Sequence, residues 1–117
     1  MDLEQLRQQV ADFALDRDWD QFHSVRNLIF AMVGEVGEVA EIVQWVSDDG
    51  VKDLLSSDGR ERLAQELSDV LIYLVRIADK SGIDLSEAVA KKLAENDVKY
   101  PRDKARGNSK KYTELRD

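Results

Sequence analysis

Residues 34–41 read GEVGEVAE and stand between LIFAMV on one side and IVQW on the other. Spacing of the apolar residues makes the whole segment helical, from an N-cap at Ser24 to about residue 46. On a wheel of about 100° per residue, Glu35 and Glu38 lie about 60° apart on one face. Their neighbours there are Leu28, Ala31, Val39 and Ile42, all apolar. The opposite stripe of Val25, Ile29, Met32, Val33, Val36, Ala40 and Val43 is apolar too. A helix with no broad polar face is central in its bundle. Two carboxylates on such a helix need a counter-charge, because burying an unpaired ion costs several kcal/mol (~).

A second segment repeats the device. QELSDVLIYLV places Glu66 and Asp69 three residues apart beside Val70, Tyr73 and Ile77. Asp58 followed by Glu61 is a capping-box pattern that opens this helix, and Gly82 lies behind its expected end near residue 80. If the two helices form an antiparallel hairpin about residue 52 or 53, Glu35 faces Asp69 and Glu38 faces Glu66 at one level. The intervening SDDGVKDLLSSDG, polar and glycine-containing, reads as the connecting loop.

Around this pair the same reasoning places a first helix over residues 3–17, with Leu3, Leu6, Val10, Phe13 and Ala14 on one stripe. Asp84 with Glu87 caps a last helix that Pro101 ends, since the residue before a proline avoids the α region. No strand-like alternation persists. The expectation is all-α: a four-helix bundle forming one domain over residues 1–117, with a basic tail at about 99–117.

Four carboxylates converging without a cation would raise one another's pKa. Hard oxygen ligands with no nearby His or Cys suit Mg²⁺, with Mn²⁺ as a substitute, better than zinc. A di-iron bundle would want Glu-x-x-His motifs, and the single histidine, His23, lies outside both acidic motifs. The expected metal ligands are Glu35, Glu38, Glu66 and Asp69, and the chemistry is attack of water on a phosphoanhydride. Glu38 and Glu41 are both candidates for the general base.

Charge and composition narrow the class further. The 117-residue chain has a net charge of −7 and no cysteine. Disulfides and thiolate metal sites are excluded, and duplex nucleic acid is an unsuitable main partner. The charge is uneven: residues 99–111 hold six basic side chains against Asp103, a local +5, which leaves −12 elsewhere. No stretch has the ~20 apolar residues of a membrane span, and the N-terminus has no signal-like apolar region. The expectation is a cytoplasmic protein without a membrane partner. A central helix that is apolar nearly all round also carries more surface than three partner helices of a small chain can cover. That implies a homo-oligomer, a tetramer before a dimer.

Taken together, DWDQFHSVRNL, GEVGEVAEIVQW, ELSDVLIYLV and KYPRDKARGNSKKYTEL resemble the corresponding segments of the MazG-like all-α nucleoside triphosphate pyrophosphohydrolases, and most nearly their dCTP pyrophosphatase branch. The similarity runs from about residue 3 to 115. It implies Mg²⁺-dependent cleavage of a nucleoside triphosphate, dCTP or a modified dCTP, to monophosphate and pyrophosphate, in dimers or tetramers whose subunits complete one another's sites. It further implies that Trp19, Asp20, Gln21, Phe22, His23, Trp45 and Tyr73 form the nucleoside pocket, with Asn96 a further member. One position departs: a first-helix histidine of animal members falls at Val10. The residues agree with such a pocket independently, since Trp19, Phe22, Trp45 and Tyr73 are four of eight aromatics and a flat base needs stacking planes. From the tail, Arg102, Arg106 and Lys111, with Lys110, are placed to offset triphosphate charge. Two rival readings are the same reaction on another nucleotide (dUTP, a damaged purine triphosphate or phosphoribosyl-ATP) and a non-catalytic helical adaptor.

Overall fold

In a computed structural model of the protein, residues 1–115 are described; the last two residues of the basic tail, 116 and 117, lie outside them. Six α-helices and two short 3₁₀ turns account for most of the described chain, which contains no strand. The chain forms two compact units, the first ending at Ile83 and the second beginning at Asp84.

The first unit opens with α1, Leu3–Asp16. Asp2 caps it by accepting from the Gln5 amide while the Gln5 side chain accepts from the Asp2 amide, a capping box that the sequence reading overlooked. After a 3₁₀ turn at Asp20–Phe22, α2 spans Val25–Val43. Ser24 is its N-cap, as expected, with its hydroxyl accepting from the Asn27 amide. The helix ends at Val43 rather than near 46, which leaves Trp45 beyond the C-cap residue Gln44.

The segment expected to be a loop contains a helix, α3, Asp48–Leu55. Its polar composition hid two local instructions. Ser47 caps it through the Gly50 amide, and Val51 and Leu54 are a one-turn apolar pair that is drawn out of full exposure. Then α4 follows over Gly59–Lys80. The expected Asp58 cap does not form: Asp58 is already in the helical region (φ −62°, ψ −15°) and its side chain makes no capping bond. An N-cap carboxylate reaches the third amide only from an extended backbone, and here α3 runs into α4 through a tight turn. Gly59 is required at that turn, because a Cβ there would sit 2.6 Å from the Leu54 carbonyl oxygen.

The packing of α4 against α2 is the most extensive in the unit, with α1 and α3 also resting on α4. The α2–α4 pair is antiparallel. His23, just before α2, meets Arg76 late in α4, whereas Glu38, farther along α2, groups with Glu66 early in α4. Leu28 and Ile42 of α2 and Val75 and Ala78 of α4 are buried with Ala14 of α1. Burial of each large side chain contributes about 1.5–3 kcal/mol. On the other side of α2, Ile29, Val33 and Val36 remain exposed, as do Leu67, Leu71 and Leu74 on α4. The carboxylate-bearing face of α2 therefore turns toward α4, and an apolar stripe is left outward.

The second unit holds α5, Leu85–Lys99, and the one-turn α6, Arg102–Ala105, joined through Tyr100 and Pro101. Asp84 caps α5 by accepting from the Glu87 amide, as expected. The basic tail is thus partly structured. Beyond Gly107, at φ +81°, a 3₁₀ turn at Tyr112–Leu115 brings Tyr112 edge-on to Tyr100 at 6.3 Å. Among the described residues no helix is long and apolar enough to cross a membrane.

Candidate active site

Three of the four expected ligands converge. Glu35 and Glu38 on α2 and Glu66 on α4 each present a carboxylate oxygen, and these oxygens lie within 4.8 Å of one another. Glu35 and Glu66 are half-buried, and Glu38 is exposed. Asp69, expected as the fourth ligand, stands outside this group of three, yet is close enough that its charge helps to raise the pKa of Glu35. Glu41, one turn beyond Glu38, is exposed and also outside the group.

The electrostatics of the cluster are those of crowded carboxylates. Burial first, then a hydrogen bond to Glu38 and the charges of Glu38 and Asp69, raise Glu35 above the usual carboxylate range, partly offset by a hydrogen bond from Glu66. A hydrogen bond to Glu38, then burial, then Glu35, push Glu66 up to about 7. One proton shared among these carboxylates accounts for both directions, since only a protonated Glu66 can donate to its neighbours. With all three ionised, no donor is left: the Oε2 atoms of Glu35 and Glu66 are buried without a hydrogen-bond partner. No Lys or Arg forms an ion pair with Glu35, Glu38 or Glu66 among the described residues. An all-oxygen donor set with orphaned buried lone pairs fits a hard divalent cation.

The lead-in to α2 is built around a residue that sequence reasoning missed. Arg76 on α4 is 5% exposed. Its guanidinium donates to Asp20 Oδ1 at 2.7 Å, to Asp79 Oδ2 at 3.3 Å and to His23 Nδ1 at 3.2 Å. Lys80 Nζ donates to the same Asp20 oxygen at 2.8 Å, and Arg7 of α1 donates to Asp79 Oδ1 at 3.2 Å. Lys80 first, and Arg76 next to it, hold the Asp20 carboxyl below its usual range. Asp20, expected to touch substrate, is thus engaged by two cations of its own chain. A cation inside the apolar run LIYLVRIA was the available signal.

The expected pocket aromatics are distributed as follows. Phe13, Trp19 and His23 form a chain of edge-on rings, with centroids 5.7 and 6.4 Å apart, and Arg17 stacks over Phe13 at 3.5 Å. Gln21 turns back to Asp18, donating to its carboxylate and its carbonyl. Phe22 is exposed, Tyr73 is half-buried on α4, and Trp45 is 89% exposed. Asn96, Arg102, Arg106 and Lys111 belong to the second unit. There the Asn96 carbonyl accepts the Tyr100 amide at the end of α5, and the three cations are exposed.

Two packed helices carrying opposed carboxylates, in an otherwise helical chain, define an all-α protein with a carboxylate cluster between helices. The chain belongs to the MazG-like family, whose pattern it matches over residues 32–115. It is 51% identical over 115 residues to dCTP pyrophosphatase 1 of Homo sapiens, covering 97% of this chain and 67% of that one. It is 48% identical over 114 residues to dCTP pyrophosphatase 1 of Mus musculus, with the same coverage. The fold is similar to the crystal structure of a pyrophosphatase from Archaeoglobus fulgidus, with a TM-score of 0.78 and 35% identity over 84% of this chain and 91% of that one.

Proposed function

We propose that this protein hydrolyses dCTP, or a base-modified relative of it, to the monophosphate and pyrophosphate with the help of Mg²⁺, which Mn²⁺ can replace. The observation that carries the reading is the carboxylate cluster of Glu35, Glu38 and Glu66, with two buried oxygens that lack any donor. It is supported by similarity to curated dCTP pyrophosphatases over nearly the whole chain. Those three residues would hold the cation, with Asp69 joining from the next turn of α4. A divalent ion bound there supplies charge neutralisation and polarises the phosphoanhydride. Glu38 and Glu41, both exposed on α2, are the candidates to take the proton of the attacking water. Trp19, Phe22, His23, Trp45 and Tyr73 would receive the nucleoside, and Asn96, Arg102, Arg106 and Lys111 would meet its sugar or phosphates.

Assembly belongs to the same proposal. The outward stripes of Ile29, Val33 and Val36 on α2 and Leu67, Leu71 and Leu74 on α4 are apolar surface that a second copy would cover, in a tetramer before a dimer.

The decisive experiment is a screen of canonical and modified nucleoside triphosphates with separate detection of pyrophosphate and inorganic phosphate. dCTP should release dCMP and pyrophosphate only when a divalent cation is present. A diphosphate plus inorganic phosphate as first products would refute the reading.

A further inference from the structure

The buried guanidinium of Arg76 makes one contact that charge pairing does not explain. Asp20 and Asp79 take its two terminal nitrogens, but its Nε–H is directed at the ring nitrogen Nδ1 of His23, an uncharged acceptor. A guanidinium has no lone pair to offer and cannot lose its proton, so Nδ1 must accept. The imidazole proton of His23 is thereby placed on Nε2. We infer that Arg76 is a positioning residue that holds His23 as a neutral Nε2–H donor for an acceptor atom of the nucleoside. The inference rests on the functional reading above.

The placement of Arg76 supports this role. Glu66, Asp69, Tyr73 and Arg76 follow one another at spacings of three, four and three, so they share a face of α4 about 80° wide. Whatever Arg76 holds is therefore presented on the carboxylate face, about 15 Å along the axis from Glu66. Between them stands Tyr73, half-buried, and the rings of Trp19 and His23 meet at 62°. The charged groups around His23 are Asp20 in its own turn, Arg76 and Lys80 from α4 and, through Arg76, Asp79 with Arg7 of α1. Burial first, then the Arg76 charge, hold His23 below the ordinary value of 6.5, against the weaker pull of Asp20. A neutral donor contributes one directed hydrogen bond without changing the charge of the site. If protonated, the ring would lose its bond from Arg76 and set two cations face to face.

His23 is the only histidine, so its ring nitrogens give one resolved pair of signals in long-range ¹H–¹⁵N spectra. The wild-type protein should show the proton on Nε2 and a titration midpoint below 6.5. Arg76→Lys keeps a cation between Asp20 and Asp79 but lacks the in-plane Nε–H donor. The variant should stay folded, show mixed tautomers, and titrate nearer 6.5. For Mg²⁺–dCTP at pH 6 its KM should rise about fivefold with kcat nearly unchanged, the equivalent of ~1 kcal/mol for one hydrogen bond. At pH 8 the difference should shrink. A wild-type proton on Nδ1, or an unaltered tautomer and midpoint in the variant, would overturn the inference. So would a lost tautomer preference with unchanged KM. Should the wild type turn over no nucleotide, the substrate half falls with the functional reading. The two failures are distinguishable because the ring spectrum needs no substrate.

Discussion

Replacing Trp45 with alanine separates binding from folding unusually well in this protein. Trp45 lies one residue past the C-cap of α2 and is 89% exposed. A tryptophan side chain can bury up to ~250 Å², so folding removes roughly 30 Å² of it from water, worth ~0.7 kcal/mol at 25 cal/mol per Å². The melting temperature should consequently fall by no more than about 4 °C. If Trp45 stacks on the base, its loss should weaken nucleotide binding by ~1–3 kcal/mol, about 5- to 150-fold in Kd. The carboxylate cluster is untouched, so kcat at saturating substrate should survive. The assay is titration calorimetry with dCTP and Mg²⁺ beside a thermal melt followed by circular dichroism. A folded variant whose Kd stays within about twofold would remove Trp45 from the pocket. A large fall in melting temperature with a change of assembly state would place it between subunits instead.

The remaining expectations concern the cluster and the assembly. Glu38→Gln should leave the metal-free protein as stable as before or more so, because one of three crowded charges disappears, while Mg²⁺ affinity and turnover collapse; a marked drop in metal-free melting temperature would mean that Glu38 pairs with a cation of the protein. Glu66, raised to about 7, binds a proton more tightly when folded than when unfolded, so metal-free stability should decline as pH rises from about 4.5 to 7 and level off above. Because a divalent cation must displace that proton, its affinity should climb over the same window; a melting temperature that rises with pH there, or a pH-independent affinity, would contradict the assignment. Light scattering at micromolar concentration should detect an oligomer, and substitution of Val33 or Leu71 with Glu should disperse it; a stable wild-type monomer would remove the proposed interface.

Much of this protein follows from local chemistry that the sequence displays. Helix periodicity located α1, α2, α4 and α5 because each has apolar residues at three- and four-residue spacing, and Ser24 and Asp84 announced their caps through side chains that reach the third amide. The carboxylate pairs were legible because two acidic i, i+3 motifs inside apolar runs, set symmetrically about one turn, can meet across a hairpin at only one level. Glu38 and Glu66 meet at the expected level together with Glu35, while Asp69 stands outside the group. What depended on tertiary structure is of another kind. Helix α3 is short and polar, and Val51 and Leu54 gain their partner only when α4 is beside them. The Asp58 cap failed because α3 enters α4 with helical backbone, a fact about the junction rather than about Asp58. The glutamate face of α2 turns toward α4, as the pairing of carboxylates required, and the opposite stripe of Ile29, Val33 and Val36, equally apolar on the wheel, is left exposed. Arg76 shows the limit most sharply. Its partners Asp20 and His23 lie 56 and 53 positions away in the chain, and no local pattern can reveal that a cation in an apolar run is buried because two distant side chains fold back to meet it.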